Sequence, residues 1–225
     1  MMKKLVVLFI LMSCGAFAQN PIQDYVGIRD QLKLLNTDSG YNSKLAGSPY
    51  LEESFQPGQI VLDKDKTQRA YFRYNAVKDI VEIKADKNQD KVFTLPRNSE
   101  YAFRLNNYTY VVGNVKTREG DFLRGYLMQY FKGENVTLIA KPSAEVIPAK
   151  TAETSYGKSE PATLKVDVNY FIKVDGDNFQ EVKLKERHFR KILSTNQIME
   201  DYFAEHKVRT IEDVIAMLQF YEVHA

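Results

Sequence analysis

The sequence predicts an α+β fold: a mainly antiparallel β-sheet, curled, barrel-like or sandwich-like, followed by two to three short C-terminal helices. Three observations carry this. Between residues 59 and 184, apolar and polar residues alternate with a period of two in short runs. Turn residues separate those runs, and the runs are rich in Val, Ile, Tyr and Phe, which suit a pleated, half-buried surface. From residue 185 the apolar period changes to that of a helix.

The elements follow in order. GIRDQLKLL (27–35) places Ile28, Leu32 and Leu35 at helical spacing and predicts a short helix. In GSPYLEESFQPGQIVLDK (47–64), Pro57-Gly58 reads as a turn and Gln59–Leu62 as the first strand. The bland reading of this stretch is a structured lead-in to the sheet. A ligand loop is the other reading, because binding residues often sit on loops. RAYFRYNA (69–76) and DIVEIK (79–84) read as a hairpin through Val77-Lys78, with Phe72, Tyr74 and Ala76 on one face. KVFTL (91–95) stops at Pro96. Two strands flank Asn106-Asn107, a pair that tolerates the left-handed backbone of a tight turn. FLRGYLMQYF (122–131) and NVTLIAK (135–141) flank Lys132-Gly133-Glu134, and LKVDVNYFIKV (164–174) and FQEVKL (179–184) flank Asp175-Gly176-Asp177-Asn178.

The tail is helical. KERHFRKIL (185–193) carries Phe189, Ile192 and Leu193 as a stripe. Ser194 with Gln197 and Thr210 with Asp213 fit capping boxes. The helix after Ser194 aligns Ile198, Tyr202 and Phe203; the last aligns Ile211, Val214, Ile215, Leu218 and Tyr221.

The first residues, MMKKLVVLFILMSCGAFAQ, have a positive start, a short apolar core and a small-x-small AFA site before Gln19. That pattern predicts a cleaved signal peptide at 1–19, and its apolar run is shorter than the ~20 residues a spanning helix needs. Leu11-Met12-Ser13-Cys14 loosely fits a bacterial lipobox, which leaves open a lipid anchor at Cys14. Residues 20–225 are expected to form a single β-rich domain, with an extended connector at 142–162, marked by Pro142, Pro148 and Pro161, and a helical tail at 185–223. No transmembrane span is expected in the mature chain.

Composition narrows the chemistry. The chain has 31 Lys+Arg against 29 Asp+Glu, and Lys3 and Lys4 fall in the signal, leaving 29 against 29 in the mature protein. Nucleic-acid binding, which needs surplus cations against phosphate, is not expected. Removal of residues 1–19 also removes the only cysteine, and with it disulfide, thiol and thiolate-metal chemistry. The histidines His188, His206 and His224 stand apart, without HExxH spacing, and His188 sits in the basic run Lys185–Lys191. The basic stretch Lys183–Lys191 could meet acidic lipid headgroups or a partner, but reads first as a solvated helix face. Asp175-Gly176-Asp177-Asn178 lacks the closing Glu of a calcium loop and reads as a hairpin turn. Pairs among Glu52, Glu53, Asp79 and Glu82 resemble an acid–base couple only by chance, since 29 of 225 residues are acidic. No catalytic, cofactor-binding or metal residue is assigned, and no cofactor is expected. The aromatic richness, 14 Tyr and 13 Phe without Trp, suits sheet packing before it suits a ligand surface.

GSPYLEESFQPGQIVLD followed by RAYFRYNAVKDIVEIK, then PAKTA (148–152), YFIKVDGDNFQEVKLKE (170–186) and TIEDVIAMLQFYE (210–222), resembles a group of exported proteins of Bacteroidota-type bacteria. The resemblance covers most of the mature chain. It implies a bacterial envelope setting, periplasmic or outer-membrane-associated, and no catalytic residue. The expected function is a non-enzymatic envelope protein with an envelope or outer-membrane protein partner, as in an outer-membrane or secretion assembly. Two alternatives stand: a β-barrel-like carrier of a small ligand or lipid, and a hydrolase whose site assembles only in the fold.

Overall fold

The computed structural model describes residues 46–63, 66–94, 97, 102–150, 159–194 and 197–225. The signal peptide expected at 1–19 and the helix expected at 27–35 lie outside them.

Among the described residues eleven strands form one sheet: β1 (Ala46–Gly47), β2 (Gln56–Asp63), β3 (Lys66–Asn75), β4 (Ile80–Lys84), β5 (Phe93–Thr94), β6 (Ala102–Arg104), β7 (Thr109–Lys116), β8 (Phe122–Lys132), β9 (Val136–Ile147), β10 (Thr163–Val174) and β11 (Gln180–Val182). Three helices follow: α1 (Glu186–Leu193), α2 (Gln197–Glu205) and α3 (Ile211–His224). The strand order is β1-β10-β9-β8-β7-β6-β2-β3-β4-β5, with β11 also on β10. Every pairing is antiparallel except β1 with β10. The fold is therefore α+β, as its periodicities predict, and the sheet is open: among the described residues no ladder joins its two ends into a barrel, and no second sheet makes a sandwich. No helix among the described residues is long and apolar enough to cross a membrane.

The hairpins lie where the turn residues place them, with three corrections. Pro57-Gly58 is not a turn; it lies inside β2, opposite Tyr71 and Ala70. Because β6 pairs only with Gln59–Val61, Pro57 has a neighbouring strand on one side, where its missing N–H is tolerated. A side chain on Gly58 would press on the Phe72 ring and the Arg104 carbonyl. The connector begins later than residue 142, since β9 runs through Pro142 to Ile147. In α2 the buried residues are Met199 and Phe203, while Ile198 is 45% exposed.

Alternation along β8–β10 gives the sheet two faces. Helices α1–α3 cover one end of the first face, burying Phe189, Leu193, Met199, Phe203, Met217 and Leu218 against Val136, Leu138 and Ile172. The other end of that face packs on the β3–β4 arm, where Phe72, Tyr74 and Val81, with Phe103 of β6, meet Tyr110, Tyr126, Met128 and Ala140. Tyr130 and Tyr170 pack against both clusters. On the second face Leu127, Ile139 and Phe171 form a smaller group.

Two devices hold the arm down. The β8–β9 ladder ends at Met128–Ala140, short of Pro142, and continued register would set Tyr126 opposite that proline. Asp79 substitutes for the missing partner. Its Oδ1 accepts from the Tyr126 amide at 3.2 Å, the Tyr74 hydroxyl at 2.6 Å and Lys141 Nζ at 3.0 Å. Lys141 also donates to the Tyr126 carbonyl at 3.2 Å, and Arg97 closes the group at 3.4 Å from Asp79 Oδ2. Asp79 reaches in from the β3–β4 turn at φ 49°.

The second device is a strap. The Ala46 amide donates to the Ala162 carbonyl beside β10, and four residues later Tyr50 bridges Asn75 at the end of β3. Leu51 N–H to Tyr74 and Ala76 N–H to Pro49 complete that joint. Tyr50 then donates to Glu82 Oε1, while Arg73 binds Glu82 Oε2 at 2.6 Å and lies 3.7 Å from the Tyr50 ring centroid. Four residues span at most about 14 Å, so the strap draws β10 and β3 toward each other although five strands separate them in the order. This is what GSPY does: Gly47 turns at φ 84°, and the chain leaves β10 for β3.

Candidate functional site

The departure of the chain at Gly47 leaves β10 with an incompletely covered outer edge. β1 pairs with Thr163 and Leu164 only, and β11 with Tyr170–Ile172 only. Between them Lys165–Asn169 have β9 on one side and, among the described residues, no strand on the other. The phase of the edge follows from its ends. The Ala162 carbonyl points outward to Ala46, whereas the Asp175 amide points inward to Asn135, so even-numbered residues present N–H and C=O outward. Val166 and Val168 therefore carry the open donors and acceptors. Pro142 agrees, because it stands opposite Val168, at a pair that exchanges no bonds and needs no proline N–H. The side chains alternate too: Val166 and Val168 pack toward the arm, while Lys165, Asp167 and Asn169 face solvent. Lys165 pairs with Asp167 at 2.8 Å, and that carboxylate raises the lysine's pKa.

The opposite end of the sheet is guarded differently. β5 has only two residues, beside Lys91, and covers Glu82 and Ile83 of β4. Brevity and a lysine are ways of blunting an edge.

A cleft of about 700 Å³ lies between α1 and the β10–β11 turn. It brings together three features that the sequence singled out: His188, the basic residues Arg187 and Lys191, and the Asp175–Asp177 turn. The charges balance, with Arg118 paired to Asp177 at 3.2 Å and Asp175 accepting from the Tyr221 hydroxyl at 3.3 Å. His188 makes no hydrogen bond to an acid among the described residues. His206 and His224 lie outside the cleft. Their Nδ1 atoms contact the Tyr202 and Phe220 carbonyls, and their rings stack on those same residues. Among the described residues no three of His, Cys, Asp and Glu gather as a metal site.

The four acids also separate. Glu52 and Glu53 are exposed on the strap, whereas Asp79 and Glu82 each hold their own arginine. The tyrosines form packed core: Tyr74 stacks on Tyr110 at 5.2 Å, with Tyr126 edge-on to both. The gap between the strap and this cluster holds about 10 Å³, room for about one water.

Sequence reasoning missed the β10 edge. Its signals were present in Gly47-Ser48-Pro49 and in Pro142, but both read as loop punctuation until the register is known. No known protein family, curated protein or solved structure matches this chain at a significant level of similarity.

Proposed function

We propose that this chain is an exported bacterial envelope protein that works without catalysis, by binding another protein through the open edge of its sheet, as a subunit of an outer-membrane or secretion assembly. The observation that carries the reading is the pair of residues Val166 and Val168, whose backbone groups face outward between two short strands. Unpaired strand groups are a template for an added strand, where main-chain bonds supply affinity and flanking side chains supply specificity. The export half rests on the N-terminal signal pattern.

The carrier reading needs an enclosed apolar volume, and the tyrosine cluster under the strap is filled by its own side chains. The hydrolase reading needs a histidine oriented by an acid, and the cleft beside α1 offers His188 without one. Partner binding is accordingly the better supported of the three.

The test is co-purification. A C-terminally tagged chain is extracted from native envelopes in mild detergent, and whatever elutes at stoichiometric amount is identified. A defined envelope protein is the expected result; a clean monomer overturns the proposal. The intact mass of the same sample shows whether Cys14 is removed with the signal or retained with a lipid.

A further inference from the structure

Resting on that reading, we infer that the β10 edge is a receptor for one five-residue extended segment of an unlike protein, with a cation at its centre, and that it rejects a second copy of this chain. Length comes from the flanking strands. β1 ends its pairing at Leu164 and β11 begins at Tyr170, so Lys165–Asn169 leave a slot for about 17 Å of strand. A longer partner must bend away from the sheet at both ends.

Self-pairing meets a charge conflict. Two copies joined antiparallel through this edge need a two-fold axis through a shared residue. Only an axis at Asp167 uses all five open positions, and it sets Asp167 directly against Asp167. An axis at Val166 would pair Lys165 with Asp167 favourably. It would also require Leu164 of each copy, whose outer side β1 already occupies. An axis at Val168 would require Tyr170, which β11 occupies. Like charges directly opposite each other destabilise a strand pair; Lys165, which holds each Asp167 at 2.8 Å within its own strand, offsets this only in part, so the edge disfavours its own copy in the one register that fits.

The preferred guest follows from the same geometry. Its residues opposite Val166 and Val168 exchange main-chain bonds with them and place side chains on the apolar side. Its central residue lies beside Asp167 on the solvent side, where a lysine or arginine is matched and an acid is not.

The experiment uses the isotope-labelled mature chain, residues 20–225, and two synthetic probes, Thr-Val-Lys-Val-Thr and Thr-Val-Glu-Val-Thr, both end-blocked. Backbone amide exchange is followed by NMR with each probe at millimolar concentration. Without probe, Val166 and Val168 are expected to exchange faster than Lys165, Asp167 and Asn169, whose amides face β9. With the lysine probe, protection of Val166 and Val168 should rise at least several-fold, and the glutamate probe should give less. Val168→Pro removes an outward N–H that β9 does not use, and should abolish the protection of Val166 at the cost of a small drop in thermal stability, since the Val168 side chain packs toward the arm. Should that variant misfold, Asp167→Lys serves in its place, with the probe preference reversed.

No protection by either probe, equal protection by both, or a concentration-dependent dimer through this edge in sedimentation would overturn the inference. So would an intramolecular contact from residues 20–45 that already protects Val166 and Val168. If a partner co-purifies and Val168→Pro fails to release it, the binding reading stands and this site falls. If no partner co-purifies while the probes still bind, the reverse holds.

Discussion

Asp79 gathers three hydrogen bonds and two cations on one carboxylate. Its value lies in backbone accounting: a buried N–H left without a partner costs more than a typical hydrogen bond contributes. Asp79→Ala strands the Tyr126 amide and the Tyr74 hydroxyl and leaves Lys141 facing no charge at that position. We expect a loss of about 2–4 kcal/mol in urea unfolding. Asp79→Asn keeps an acceptor and tolerates the left-handed backbone, so it should lose about half as much. If both variants cost the same, the charge rather than the acceptor is what matters. Gly125 is the complementary test. It sits at φ 90°, and its missing Cβ is the space the Asp79 carboxylate occupies, so Gly125→Ala should destabilise about as strongly as Asp79→Ala. Neither role was legible in the sequence. Asp79 read as the first residue of one strand and Gly125 as an ordinary member of another, because their meeting depends on contact between the β3–β4 turn and β8, which no local pattern encodes.

Element by element, the hairpins and the last helix were legible because their signals are local. Thr210 accepts from the Asp213 amide, and Asp213 accepts in return from Thr210, as the capping-box spacing predicts. The end of α3 is less readable. Glu222 sits half-buried at the β8–β9 turn and accepts from the amides of Glu134, Asn135 and Val136 at 2.6–3.1 Å, an interaction spanning more than eighty residues. Burial raises the carboxyl's pKa, the three amides lower it, and the net direction is down. Backbone amides likewise lower Glu186, through Val208, and Asp213, through Arg209 and Thr210. The three folded carboxylates thus bind protons less readily than the unfolded chain does. The stability they contribute is present above the ordinary carboxylate value near 4 and is lost as pH falls through their folded values. Acid should therefore loosen the helical tail, seen as amide exchange rising first in α1–α3 below about pH 4. Glu222→Gln should flatten that acid limb for α3, and Glu222→Ala should lower stability by about 1–2 kcal/mol at neutral pH. An unchanged acid limb in Glu222→Gln would remove Glu222 from this account.

For the molecule as a whole, the tyrosine core decides how the parts are coupled. Tyr74, Tyr108, Tyr110, Tyr126 and Tyr130 are all shifted upward, chiefly by burial; Asp79 adds to the shift of Tyr74, and Tyr126 reaches about 12. The folded state holds these phenolic protons more tightly than the unfolded chain, whose tyrosines titrate near 10. Their contribution is complete below about pH 10 and fades as pH rises through the folded values. Phenolate absorbance should accordingly rise in two stages, exposed tyrosines near pH 10 and core tyrosines only as the fold is lost toward pH 12. Because Tyr130 and Tyr170 touch both the helix cluster and the arm cluster, that loss should take the helices with it. Tyrosine fluorescence, undisturbed by Trp in this chain, and helical circular dichroism should then change at one pH and at one urea concentration. Coincident transitions would support the single unit expected over residues 20–225. Helices that survive the arm, or all tyrosines titrating together near 10 with the fold intact, would instead make the two clusters separate cores that share only a sheet.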